Sequence, residues 1–132
     1  MSLTYSAMIV MLALASACSK KPVVYSKEQM WAFSPKEGRD RIEIVLARDI
    51  NDAIPCSDYG PGCLSAHRLK TRDLEFIAVE FATPDEAENS AKKIYAFTVQ
   101  NWLFDDVDGE PQLEDWLRTY YRPKSFNPKK QR

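Results

Sequence analysis

The sequence predicts an α+β domain, a small antiparallel sheet carrying two or three helices, preceded by an N-terminal signal peptide. Three stretches carry that prediction. Leu74 to Phe81 (Leu-Glu-Phe-Ile-Ala-Val-Glu-Phe) reads as a strand with apolar side chains on both faces, as a central strand requires. Thr83-Pro84-Asp85-Glu86 opens a helix with an N-cap threonine, a proline at the first position and a glutamate closing a capping box. Leu113, Trp116, Leu117, Tyr120 and Tyr121 recur at the spacing of one helical face.

The remaining elements follow in order. Ser26-Lys27-Glu28-Gln29 is a capping box that starts a short helix running to about Phe33, stopped by Ser34-Pro35-Lys36-Glu37-Gly38. Arg41–Arg48 alternates in part, with Ile42, Ile44 and Leu46 on one face, and is expected as a strand. Leu64–Lys70 is expected as a second strand and Thr71-Arg72-Asp73 as a turn. The helix opened at Thr83 is expected to reach about Val99, and Asn101–Phe104 to form a further strand. Helices packed on one face of this sheet suit the alternation, and a ferredoxin-like topology is one arrangement that fits, with the cysteine loop in place of its first crossover helix. Residues 26–122 are read as this single domain. Arg122 to Arg132, basic and bearing two prolines, is read as a tail, with residues 123–132 flexible.

The N-terminus is of a different kind. Residues 1–17 hold no charged side chain, and Ala7–Ala15 is an unbroken apolar run. Its length suits the core of a signal peptide and falls short of the roughly 20 apolar residues a membrane span needs. The run ends in Leu14-Ala15-Ser16-Ala17-Cys18, with small residues at 15 and 17. An ordinary signal peptidase accepts that pattern.

Followed at once by cysteine, the same residues resemble the lipobox of bacterial lipoproteins, a resemblance confined to residues 1 to about 19. It implies a lipid on Cys18, cleavage before it, and a membrane as partner through that anchor. Residues 18–25 are then a lipidated tether. Ser19 is not the aspartate that retains many such proteins in the inner membrane. The inner leaflet of the outer membrane, facing the periplasm, is therefore the expected location.

Cysteine count bears on the same question. Cys56 and Cys63 flank Ser57-Asp58-Tyr59-Gly60-Pro61-Gly62, whose Gly-Pro-Gly favours a tight turn able to bring the two within bridging distance. In an oxidising compartment they would pair and leave Cys18 as the odd cysteine, which lipidation explains. In a reducing one they would be two free thiols in a loop.

Composition narrows the function classes. Net charge is −1 with both signs interspersed, so no strong attraction to nucleic acid is expected. Phe76–Ile94 loosely resembles the RNP1 strand and helix of RNA-recognition motifs. Leu74 stands where that motif wants a basic residue, and Ala78 where it wants a stacking ring. Asp105-Asp106-Val107-Asp108-Gly109-Glu110 invites a calcium-loop reading, but Phe104 falls on the first ligand position, and a turn is expected instead.

His67 is the only histidine of the chain. Cys56, Cys63 and His67 make an incomplete zinc set. Glu75 and Glu80 have opposite strand parity and cannot converge as a hydrolase pair. Trp102, Trp116, Tyr120 and Tyr121 are expected mainly in the core, with a ligand groove the less favoured reading. No cofactor, metal or catalytic residue is therefore assigned. The expected function is a non-catalytic binding or structural module with a possible protein or cell-envelope partner. The rival is a small enzyme or metal-binding protein that uses His67 and nearby carboxylates.

Overall fold

The structure, a computed structural model, describes residues 21–49 and 52–130. The signal-peptide and Cys18 expectations fall on residues 1–20, outside the described residues. The strands are β1 (Glu43–Ile44), β2 (Cys63–Thr71), β3 (Leu74–Phe81), β4 (Phe97–Val99), β5 (Trp102–Asp105) and β6 (Lys124–Ser125). The helices are α1 (Lys27–Ala32), α2 (Pro84–Ile94) and α3 (Pro111–Tyr120). All strands pair antiparallel in one sheet, in the order β1-β2-β3-β5-β4-β6. The α+β class and the antiparallel sheet expected from the sequence are therefore present.

β3 lies in the interior of the sheet, between β2 and β5, as its two apolar faces demand. Cross-strand pairs share a face, so register sorts the core into two clusters. Leu69, Phe76, Ala78, Phe104, Trp102, Val99 and Phe97 form one with Met30 of α1 and Leu113, Trp116 and Leu117 of α3. Ile77, Val79, Phe81 and Leu103 form the other with Ala87 and Ala91 of α2. The helices thus cover both faces of the sheet, which corrects the one-face expectation. The succession β3-α2-β4-β5-α3-β6 has the strand and helix order of a ferredoxin-like unit. Its last strand, however, lies beside β4, because β2 already occupies the free edge of β3.

Other boundaries also moved. α2 ends at Ile94, not near Val99, with Tyr95 in the left-handed conformation (φ 56°) as its cap. Phe97-Thr98-Val99 then takes the strand state that its alternating, β-branched residues favour. β1 is two residues long, extended by one bond from Val45 N–H to the Arg68 carbonyl. The C-terminal residues are not a free tail. Lys124-Ser125 pairs with β4, Phe126 is buried against the α2 face, and Lys130 donates to Asp108 (2.7 Å) and Glu114 (2.6 Å). One apolar residue and one well-placed cation sufficed to dock a segment that composition alone marks as loose.

Cys56 and Cys63 form a disulfide, with Cα atoms 5.6 Å apart, across a 3-10 turn (Cys56–Tyr59) and the Gly60-Pro61-Gly62 bend. Gly62 suits this bend: its φ is +88°, a conformation strained for residues with a Cβ, and a side chain there would also have to push aside the carboxylate of Glu86. The loop packs on the α2 face through Ile54, Tyr59 and Cys63, and Ser90 Oγ donates to the Tyr59 carbonyl. Replacing both cysteines with serine should lower stability by about 2–3 kcal/mol, the loop-entropy value for so short a ring. A urea titration of the oxidised protein against the double variant measures this directly.

At the end of the sheet where β2 turns into β3, Asp40 ties three segments together. Its carboxylate accepts from Arg72 Nε (2.7 Å) and from the Tyr120 hydroxyl (2.6 Å), while its carbonyl accepts from Trp116 Nε1 (2.9 Å). Arg72 also reaches Asp115 (2.9 Å). The hydrogen bond from Arg72, then that from Tyr120, holds the Asp40 carboxyl below its ordinary range. A depressed folded value means the stabilisation is complete above the unfolded carboxylate range, near about pH 4, and fades as pH falls through the lower folded value. Asp40→Asn should therefore lower the urea midpoint at neutral pH, and the difference from the parent should shrink as pH falls below about 4.

Candidate functional site

The face of the sheet that carries α1 also carries the chain's one histidine. Ser65 opposes Glu80, Glu80 opposes Trp102, and His67 opposes Ala78. Strand parity therefore places Ser65, His67, Glu80 and Trp102 on the same side, and α1 adds Trp31. Ser65 Oγ donates to Glu80 Oε1 (3.2 Å), and His67 Nε2 lies 3.0 Å from Ser65 Oγ. Since the single hydroxyl proton goes to Glu80, Nε2 is the donor to Ser65. The His67 ring stands edge-on to Trp31 at 5.8 Å between centroids and stacks with Trp102 at 6.1 Å. Burial, reinforced by the Lys27 charge, lowers the pKa of His67 despite the opposing carboxylate of Glu80. The ring is consequently neutral at physiological pH.

This arrangement differs from a nucleophilic triad. There an imidazole bridges hydroxyl and carboxylate so that it can take the hydroxyl proton. Here the hydroxyl is in the middle, and the imidazole gives its proton toward it. Glu75, as its parity requires, lies on the opposite face beside Arg68 (3.9 Å). With Cys56 and Cys63 joined to each other, neither is available as a ligand beside His67. Among the described residues no three His, Cys, Asp or Glu side chains gather as a metal site would need.

Two carboxylates of the acidic segment Asp105–Glu110 are engaged internally. Asp105 accepts from the Tyr59 hydroxyl (2.7 Å), and Asp108 from Asn127 Nδ2 (3.0 Å) and Lys130. Burial and Asp105 together push the Tyr59 phenol well above its usual range. Of the aromatic residues set aside as core, Trp102 and Trp116 are fully buried and Tyr121 nearly so. Tyr120 and Tyr121 also border a surface groove of about 570 Å³, with Tyr25, Phe33, Arg118 and Arg122 along it.

Sequence reasoning missed Asn101. This side chain is fully buried at the β4–β5 turn. Its Oδ1 accepts from Tyr25 N–H (2.7 Å), and its Nδ2 donates to the carbonyls of Tyr25 (3.2 Å) and Phe81 (3.0 Å). Trp102 Nε1 donates to the same Tyr25 carbonyl (2.8 Å). The backbone at Tyr25, just ahead of α1, is thereby fastened to β3 and β5. An asparagine in a hairpin turn gives no sequence signal for a partner 76 positions away.

No protein-family model, curated protein or solved structure matches this chain.

Proposed function

We propose that the chain is a lipid-anchored protein of the bacterial envelope whose domain is a non-catalytic binding or structural module facing the periplasm. The observation that supports this most is the cysteine pairing. Cys56 and Cys63 satisfy each other, which fits an oxidising compartment and leaves Cys18 as the remaining cysteine, at the end of an apolar run. No helix of the described residues is long and apolar enough to cross a membrane, so a membrane attachment through this part of the chain calls for another device. The resemblance of residues 14–18 to a lipobox supplies one, and Ser19 favours the outer membrane.

Cys18→Ser tests the anchor. Fatty-acid labelling of the protein and its recovery with membranes should both be lost. Labelling and fractionation unchanged by the substitution would refute the proposal. The enzymatic rival rests on the line Glu80–Ser65–His67. Against it stand the central position of the serine and the packing of the ring between two tryptophans. Under the module reading, His67→Gln leaves the cellular phenotype intact; a null phenotype from a protein that still folds would favour the rival.

A further inference from the structure

We propose that the end of the domain where the tether emerges is a docking surface for the anionic headgroups of the membrane that holds the Cys18 lipid. The proposal rests on the lipoprotein reading for its geometry. Tyr25 lies seven positions after Cys18. Fully extended, those seven steps span about 25 Å, so Tyr25 can never be farther than that from the anchor. Tyr25 is in turn fixed by Asn101 and Trp102. Leash length and pinned exit together decide which surface meets the bilayer.

That surface has the chemistry of a bilayer contact. Val23, Val24 and Phe33 are 47%, 50% and 44% exposed, large apolar side chains kept in solvent beside one another in sequence or across the Tyr25 ring. Phe33 packs edge-on to Tyr25 (5.4 Å) and Tyr121 (5.6 Å), an aromatic wall of the kind that settles at headgroup level. The groove beside this wall is bordered by Arg118 and Arg122. Arg118 makes a long contact with Glu114 (3.4 Å), and no ion pair is formed by Arg122 or Lys21 among the described residues. At the opposite end of the sheet, Arg41, Lys70 and Arg72 are neutralised by Glu43, Asp40 and Asp115. Arg118 and Arg122, weakly paired or unpaired, thus stand where the leash delivers the domain, and a lipid phosphate is the anion within reach there.

Hydrogen exchange on the mature protein purified from its membrane tests this, with its mass reporting independently whether Cys18 carries lipid. In vesicles containing phosphatidylglycerol, amides of Tyr25–Phe33 and Arg118–Arg122 should exchange roughly fivefold more slowly than in phosphatidylcholine vesicles, the effect of about one cation contact. About 0.5 M salt should remove the difference. Arg118→Gln with Arg122→Gln should also remove it while β3 keeps its protection. Equal exchange on the two kinds of vesicle, or slowing that survives in the double variant, would overturn the proposal. A mass without lipid would overturn the lipoprotein reading alone. Vesicle sedimentation then carries the test: a roughly fivefold preference for anionic vesicles supports the docking surface, and equal partition overturns it.

Discussion

Trp102→Ala should cost about 4–5 kcal/mol of folding stability, the largest loss expected from any single substitution in this domain. Trp102 is fully buried on β5, inside the cluster that α1 and α3 cover. Its ring touches Trp31 (5.2 Å) and His67 (6.1 Å), so truncation opens a cavity under α1 that small rotamer changes cannot fill. The indole N–H is also lost from the Tyr25 carbonyl. Domains of this size hold roughly 5–15 kcal/mol in total, so the variant should be partly unfolded at body temperature. Trp102→Phe separates the contributions, since it keeps a ring in the cavity and deletes the hydrogen bond. Urea titrations should place it about 1–2 kcal/mol below the parent. A Trp102→Ala loss no larger than that of Trp102→Phe would show that the cavity collapses.

The contrast between what was and was not readable in the sequence follows from range. Elements whose signals are local were found: the Ser26/Gln29 capping box of α1, the Thr83-Pro84 start of α2, and the two-faced pattern of β3. Glu75 and Glu80 separated by face for the same reason, strand parity being a local property. Errors arose where tertiary contacts override local pattern. Thr98 continues the helical spacing of Ile94 and Tyr95, yet the left-handed Tyr95 and pairing with β5 draw residues 97–99 into the sheet. Lys124-Ser125 has too little hydrophobicity to predict a strand, and becomes one because β4 offers a free edge.

The choice of helix face is likewise not written in any single helix. α2 and α3 each have one apolar stripe, and which face of the sheet each covers depends on strand order. The candidate site shows the same division. His67 was visible as the only histidine, but its partners, Ser65 two residues before it and Trp31 thirty-six before it, become neighbours through β2–β3 pairing and the seating of α1.

Asn101→Leu carries the second large effect, and its interest lies in where the damage falls. Leucine fills nearly the same space but leaves the part-buried Tyr25 N–H without this acceptor and the Phe81 carbonyl without this donor. Each orphaned group costs about 1–3 kcal/mol, so a loss of roughly 3 kcal/mol is expected. The Tyr25 carbonyl retains Trp102 Nε1, and the ladder bond from Phe81 N–H to the Asn101 carbonyl needs no side chain. The sheet should therefore survive while Tyr25 and α1 loosen. Hydrogen exchange tests this by comparing Tyr25–Phe33 with β3. Acceleration confined to Tyr25–Phe33 is expected, since local opening there no longer breaks the asparagine bonds. Equal acceleration in both would mean that Met30 and Trp31, through their packing, hold this segment and that Asn101 serves only the turn. Asn101→Asp sharpens the comparison. It keeps the acceptor for Tyr25 N–H, loses the donors to two carbonyls and buries a charge, so it should destabilise the sheet more and release Tyr25–Phe33 less selectively.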